Sequence, residues 1–280
     1  MKNIFIPTYK RDEVRFLRNV MHPELKARIV LVVQECDKDR LNHVALGVDR
    51  VVLPPEINNI SLTRTWIGKY AAEQSLDYHY QIDDDLIIHR RVDPDDMTNV
   101  KLIQKVDEDQ VNYMFEELDS WFECGDVKIA GVSLRQGNQN QTTDKFKEIG
   151  RQSGFHIFHT ETYNNMIHGR VKMMEDFDIV LQYVTKGLPN RLMYDYCVNQ
   201  PASNSKGGCS EQRSLEIQNE SAEKMGELWP EWVTVVEKDG KSGWFNGKPR
   251  KDVRIQWKKV YESSVRVEPT PAKDIFSLFN

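Results

Sequence analysis

Three adjacent carboxylates, Asp83-Asp84-Asp85, follow directly on the apolar run Tyr78–Ile82. Neighbouring carboxylates repel one another unless a cation joins them. Hard oxygen ligands at a strand end suit Mg²⁺ or Mn²⁺, and such an ion neutralises a bound diphosphate. The plainer reading is an acidic, solvated turn, but the position straight after Tyr80-Gln81-Ile82 favours a cation site. A second acidic group, Glu175-Asp176-Phe177-Asp178, opens a helix-like stretch. The helix macrodipole accounts for one or two acids there. The chemical reading is a carboxylate base that takes a proton from an acceptor hydroxyl. A helix N-terminus favours the ionised form, as a base requires. The third group is the turn Ile6-Pro7-Thr8-Tyr9-Lys10-Arg11. Tyr9 can stack on a base and Arg11 can meet a phosphate. Arg64 is a further cation facing the same cleft, or else a surface arginine.

These groups need a scaffold that brings strand ends together. Asn3–Pro7, Arg28–Val33, Val51–Leu53 and Tyr78–Ile82 are short apolar runs, each of a length suited to a strand buried on both faces. Ser61 is positioned to cap a helix through about Gln74, with Trp66, Ile67, Tyr70 and Ala71 on one stripe. This alternation predicts a doubly wound α/β sheet, in which ligands bind at the carboxyl ends of the strands. Val111, Met114, Phe115, Leu118 and Phe122 follow helical spacing. Val127–Leu134 and Gly154–His159 read as further strands, and Gln136–Thr143 as a polar loop. Glu175–Lys186 reads as a helix stopped by Gly187 and Pro189. Ser203–Ser210 reads as a glycine-bearing loop, Glu211–Leu228 as a helix and Asp252–Trp257 as a half-exposed strand. The expected division is a catalytic domain over 1–210 and a packed C-terminal extension over 211–280.

The composition narrows the class. The chain has 280 residues, 39% hydrophobic and 29% charged, which is ordinary globular usage and argues against wholesale disorder. No stretch approaches the roughly 18 apolar residues of a membrane span, so no membrane partner is expected. The apolar start at Ile4-Phe5-Ile6 is too short for a signal peptide. Cys36, Cys124, Cys197 and Cys209 are far apart, which argues against a disulfide framework or a cysteine zinc site and makes a reducing cytoplasm the expected compartment. The net charge of −5 gives no global case for nucleic acid.

Local charge tells a different story. Glu237–Lys259 holds eight basic residues (Lys238, Lys241, Lys248, Arg250, Lys251, Arg254, Lys258 and Lys259) against Glu237, Asp239 and Asp252. Trp244, Phe245 and Trp257 are interleaved with them. Clustered cations attract phosphates and an aromatic offers a displaced base a stacking surface. The competing reading is a solvated basic hairpin with Trp257 in the core. Lys206-Gly207-Gly208 lets backbone amides approach a phosphate of either a donor or DNA, or is simply a flexible turn.

In order and spacing, the Ile6-Pro7-Thr8-Tyr9 turn with Arg11, the Asn59–Gln74 helix with Arg64, Asp83-Asp84-Asp85 and Glu175-Asp176 resemble the GT-A fold nucleotide-sugar glycosyltransferases over about residues 3–190. The stretches 174–182, 186–191, 205–210 and 252–259 are similar to those of the phage TET-associated glycosyltransferases, which are thought to put sugars on hydroxymethylated pyrimidines in DNA. The resemblance implies a Rossmann-like, mostly parallel GT-A sheet and a cytoplasmic enzyme of an infected bacterial host. It implies donor contacts from Thr8, Tyr9, Arg11, Glu35 and Arg64, and a DxD motif with Asp83 and Asp85 on Mn²⁺ or Mg²⁺ and Asp84 near the sugar or ribose. Asp176 matches the base of inverting members, with Glu175 beside it. The donor is expected to be a UDP-sugar, of glucose or arabinose. The expected acceptor is 5-hydroxymethylcytosine in DNA, reached by Lys206, Lys248, Arg250, Lys251, Trp244 and Arg254. A saccharide or protein acceptor, or a non-catalytic DNA-binding role, are the alternatives. Many GT-A enzymes carry a late metal-ligating histidine, whereas the last histidine here is His168. A third protein ligand would therefore be His156, His159, His168 or a non-histidine.

Overall fold

Every residue of Ile29–Val33 is buried, as a continuous apolar run demands when helices cover both faces of its sheet. The computed structural model describes residues 1–93, 101–103, 106–138, 144–200, 214–240 and 247–265. Its strands are β1 (Ile4–Thr8), β2 (Ile29–Val33), β3 (Asp49–Val52), β4 (Tyr78–Ile82), β5 (Ile87–Arg91), β6 (Leu102–Ile103), β7 (Ile129–Leu134), β8 (Phe146–Glu148), β9 (Phe155–His159) and β10 (Arg191–Asn199). They form one sheet in the order β3-β2-β1-β4-β9-β7-β10-β5-β6, with β8 also paired to β10. β3, β2, β1 and β4 run parallel, and β10 runs parallel to β7. β9 is antiparallel to both β4 and β7, and β5 is antiparallel to β10. This is the expected α/β class, a mostly parallel Rossmann-like sheet with antiparallel strands inserted beyond β4.

The helices are α1 (Pro23–Lys26), α2 (His43–Leu46), α3 (Ile60–Glu73), α4 (Glu108–Glu123), α5 (Arg135–Asn138), α6 (Thr160–Asn164) and α7 (Glu175–Thr185). Alternate residues of each strand face opposite layers. Ile4, Ile6, Leu31 and Ile82 pack in one cluster with Val111, Met114, Phe115 and Leu118 of α4. Phe5, Val30 and Val32 pack in another with Ile67 and Ala71 of α3. α4 begins with a complete capping box between Asp107 and Gln110. The cap of α3 differs from the sequence expectation. Asn59, not Ser61, accepts the backbone N–H of Leu62, and Ser61 sits buried in the first turn. Both residue types cap well, so local chemistry alone does not rank them.

The remaining elements are α8 (Leu215–Leu228), β11 (Val233–Gly240), β12 (Gly247–Ile255) and α9 (Trp257–Val265). β11 and β12 form an antiparallel hairpin. Met225, Val233 and Val260 join Ile179, Val180 and Val184 of α7 in one buried cluster, so this segment shares a core with the sheet domain. The strand expected over Asp252–Trp257 stops at Ile255, and Trp257 opens α9 instead. Alternation held as far as Ile255, and the helical spacing of Trp257, Val260 and Tyr261 then takes over. Cys36, Cys124 and Cys197 are free thiols. Among the described residues no helix is long and apolar enough to cross a membrane.

Candidate active site

The acidic triplet lies where the sheet order predicts a ligand cleft, past the carboxyl end of β4 and beside the end of β1. Two arginines organise it. Arg11, in the turn after β1, places Nε 3.3 Å from Asp84 Oδ1 and Nη2 3.0 Å from Asp85 Oδ2. Arg64, in the second turn of α3, places Nη2 2.7 Å from Asp83 Oδ1 and Nε 3.1 Å from Glu175 Oε1. Arg64 therefore joins the triplet to the first residue of α7. Gln200, just after β10, donates to Asp83 Oδ2 at 3.1 Å. Gly154 has φ +73, and a Cβ there would lie 3.2 Å from Asp83 Oδ2. The backbone N–H of Asp83 donates to the Gly154 carbonyl at 2.7 Å. A side chain at 154 would thus strain the backbone and crowd the carboxylate.

The electrostatics follow from burial. Asp84 is turned inward, and desolvation pushes its carboxyl up to about 8, with Arg11 pulling down and Asp85 and Asp83 pushing up. Asp85 is also raised by burial. Glu175 and Asp176 are raised by burial, with the Arg64 guanidinium opposing the shift in both. Burial disfavours the charge on Arg64, but Asp83 and Glu175 more than compensate and its pKa rises. Asp176 Oδ1 accepts the N–H of Phe177 at 2.9 Å, and Ser153 and Arg151 also support the carboxylate.

Cation-binding capacity can be judged from the oxygens. Among the described residues no group of three or more His, Cys, Asp or Glu side chains converges on one point. Asp83 and Asp85 nevertheless lie close enough for the Asp83 charge to add to burial in pushing the Asp85 carboxyl up, and Asp85 Oδ1 is buried with no hydrogen-bond partner. Two carboxylates completed by phosphate oxygens and water are a normal Mg²⁺ environment, so these residues fit the ion. The histidines divide clearly. His159 Nδ1 bonds Thr162 Oγ1 at 2.8 Å and His168 Nε2 bonds the Tyr163 carbonyl at 2.8 Å. His156 lies buried against the same cleft as Arg64, Glu175 and Asp176, with neither ring nitrogen partnered. Burial first, and Arg64 second, hold it neutral by lowering its pKa.

Other expected residues are spread more widely. Thr8 is buried and its hydroxyl donates to the Ile6 carbonyl at 3.3 Å. Tyr9 is half-buried with the Lys10 ammonium 5.2 Å from its ring. Glu35 is exposed and pairs with Lys38, whereas Asp37 two residues on is buried and accepts from Lys10 N and Arg40 Nε. On the hairpin, Lys238, Arg250 and Arg254 share one face with Asp252. Lys248 and Arg254 are exposed, and Lys251 is on the other face, tied to Glu223 of α8. Lys206 and Trp244, with Lys241 and Phe245, lie outside the described residues. The third acid of the 175–178 group is structural. Asp178 is buried, bidentate to Arg170 at 3.0 and 2.5 Å, and accepts the indole N–H of Trp229 at 2.8 Å. Sequence reasoning missed Arg151, Ser153, Gly154 and Gln200. The run Arg151-Gln152-Ser153-Gly154 before β9, with a glycine at a strand entrance, was the available signal.

A profile of the TET-associated glycosyltransferase family matches residues 2–208, which include the triplet, Arg64 and Glu175-Asp176. The chain is a TET-associated glycosyltransferase. Two curated relatives carry the name beta-glucosyl-HMC-alpha-glucosyl-transferase. The one from Enterobacteria phage T6 is 22% identical over 267 residues, covering 91% of this glycosyltransferase and 92% of the relative. The one from Enterobacteria phage T2 is 23% identical over 195 residues, covering 66% and 67%. Among solved structures, protein A197 from STIV aligns with a TM-score of 0.36 and 11% identity, over 70% of the glycosyltransferase and 82% of A197.

Proposed function

We propose that this glycosyltransferase moves a sugar from a nucleotide-sugar donor to a modified pyrimidine in DNA, at the hydroxymethyl oxygen of 5-hydroxymethylcytosine. The observation that carries the reading is the Arg64 bridge, which sets Asp83 and Glu175 on either side of one guanidinium. A donor-side acid and an acceptor-side acid thus face a shared cleft. Asp83 and Asp85 would hold Mn²⁺ or Mg²⁺. When bound, such an ion supplies positive charge to the diphosphate. Arg11 and Arg64, already aimed at the carboxylates, are within the same cleft to stabilise charge on the leaving nucleoside diphosphate. As the donor C1–O bond breaks and the acceptor oxygen bonds to C1, the hydroxyl proton passes to Asp176 in an inverting reaction. Ser153, Arg151 and the Phe177 N–H hold that carboxylate in place. Lys248, Arg250 and Arg254 supply sequence-independent attraction for the DNA backbone.

The relatives' printed names favour a second acceptor, a glucosyl group already on hydroxymethylcytosine, with an α linkage as the product. An α product from an α-linked donor retains configuration, and the proton then leaves with the departing phosphate oxygen instead of Asp176. Nucleoside mass spectrometry decides between these acceptors. Plain, hydroxymethylated and glucosylated DNA are each incubated with Mn²⁺ and a panel of UDP-sugars. A hexose or pentose adduct on one modified base and none on plain DNA is the expected result, and no adduct on any DNA refutes the reading. Asp176→Asn should remove turnover while leaving donor affinity nearly unchanged. Activity within a few fold of the parent removes the base assignment.

A further inference from the structure

Beside Asp176 lies a pair of aromatic rings that the transfer chemistry leaves without a task. Phe177 follows Asp176 directly in the first turn of α7. Its ring meets Trp257 edge-on, with centroids 6.1 Å apart and planes at 73°. The Arg151 guanidinium stands 5.2 Å from the Phe177 centroid and also acts electrostatically on Asp176. Both rings are half-buried and Arg151 is exposed. Both rings pack against the cluster around α7 and keep part of their surface exposed.

We infer that Phe177, Trp257 and Arg151 form the seat for the acceptor nucleobase, an inference that rests on the DNA-acceptor reading above. Three observations fix the occupant as a flat, electron-rich ring attached to a polyanion. The partly exposed Phe177 follows directly on the carboxylate assigned to the acceptor hydroxyl. Trp257 is the second residue after β12, whose Arg254 and Arg250 share a face with Lys238 and Asp252. Asp252 pairs with Lys238 and Arg250 and leaves the face net positive. Arg254 precedes Trp257 by three residues, so a phosphate held by Arg254 keeps its base close along the chain to the ring pair. Arg151 adds a planar cation, which stacks on nucleobases as readily as on Phe177. A pyrimidine held on this platform carries its 5-substituent at its edge, the part that must reach Asp176. The arrangement requires the base to leave the helical stack, as enzymes acting on bases commonly demand.

Steady-state kinetics on a short oligonucleotide bearing one acceptor base separate this role from simple packing. Trp257→Ala and Phe177→Leu should each raise KM for the oligonucleotide by about tenfold, the usual scale of one base–aromatic stack, while KM for the donor stays within twofold. Trp257→Phe should restore most of the lost affinity, because it keeps a stacking face. Arg151→Ala, a change on the exposed side of Phe177, should raise the same KM severalfold, and it decides the matter should Trp257→Ala fail to fold. Anisotropy of the labelled oligonucleotide must follow the same ranking. An oligonucleotide KM within twofold of the parent for Arg151→Ala and Phe177→Leu, or an equal rise in donor KM, overturns the platform while leaving DNA glycosylation standing. Absence of any DNA product from the unaltered enzyme overturns the acceptor reading, and the platform falls with it.

Discussion

Removing Arg64 tests whether one guanidinium holds the two acidic groups together. Arg64→Met keeps much of the side-chain length and deletes the charge. Its side chain is 9% exposed, and those of Asp83 and Glu175 are 22% and 15% exposed. Taking one partner from a buried ion pair costs about 3–5 kcal/mol, and the residual exposure of the acids places this case near about 3 kcal/mol. With a denaturant slope of roughly 3 kcal/mol per molar, the urea midpoint should fall by about 1 M. The pH dependence has a definite sign. Glu175 and Asp176 already have raised pKa values through burial, with Arg64 opposing the rise, so the variant raises them further. A carboxyl raised in the folded state contributes stability at low pH and loses it as pH climbs through the folded value. The gap between parent and variant should therefore be smallest near about pH 4, the ordinary carboxyl range, and widen toward neutral and alkaline pH. Mn²⁺ at about a hundredfold over its dissociation constant should return up to roughly 2.7 kcal/mol if the ion binds only the folded chain. The assay is urea unfolding followed by circular dichroism at acidic and alkaline pH. A midpoint unchanged at alkaline pH, or a loss that shrinks as pH rises, refutes the reasoning.

Asp84→Asn should flatten the fall of Tm with rising pH, because the parent has a buried carboxyl near 8 whose ionisation opposes folding; scanning fluorimetry from acidic to alkaline buffer tests it. Asp178→Ala should lower Tm by roughly 10 °C, since it strands Arg170 and the Trp229 indole, whereas Asp176→Asn should unfold close to the parent temperature. Lys248→Gln with Arg254→Gln should weaken DNA binding and reduce the slope of log affinity against log salt by about 2, as read from filter binding across a salt series.

The parallel half of the sheet was legible because its strands are buried on both faces and written as unbroken apolar runs. The acidic triplet was legible for the same reason, since a charged cluster straight after such a run must lie at a strand end. Arg64 was visible only as a cation on the preceding helix; its grip on Glu175 spans 111 positions and no local pattern encodes that. β10 escaped notice because its run is broken by Asp195 and its pairing to β7 shifts register between Met193 and Cys197. The family pattern points to Glu35, but the buried acid is Asp37, because the 3-10 turn after β2 rotates one carboxylate in and the other out. Asp178 shows the limit of reading acids by spacing. It shares the Glu175-Asp176 segment yet points into the core toward Arg170.

The indole of Trp229 reaches Asp178, and the hydroxyl of Ser264 donates to the Val184 carbonyl, so both ends of α7 are pinned by residues from beyond position 214. The placement of Glu175 and Asp176 is consequently not the property of the sheet alone. A chimaera that grafts a foreign tail onto this sheet, in order to redirect it to another polymer, would unmoor Asp176, the proposed proton acceptor, unless α7 travels with the graft.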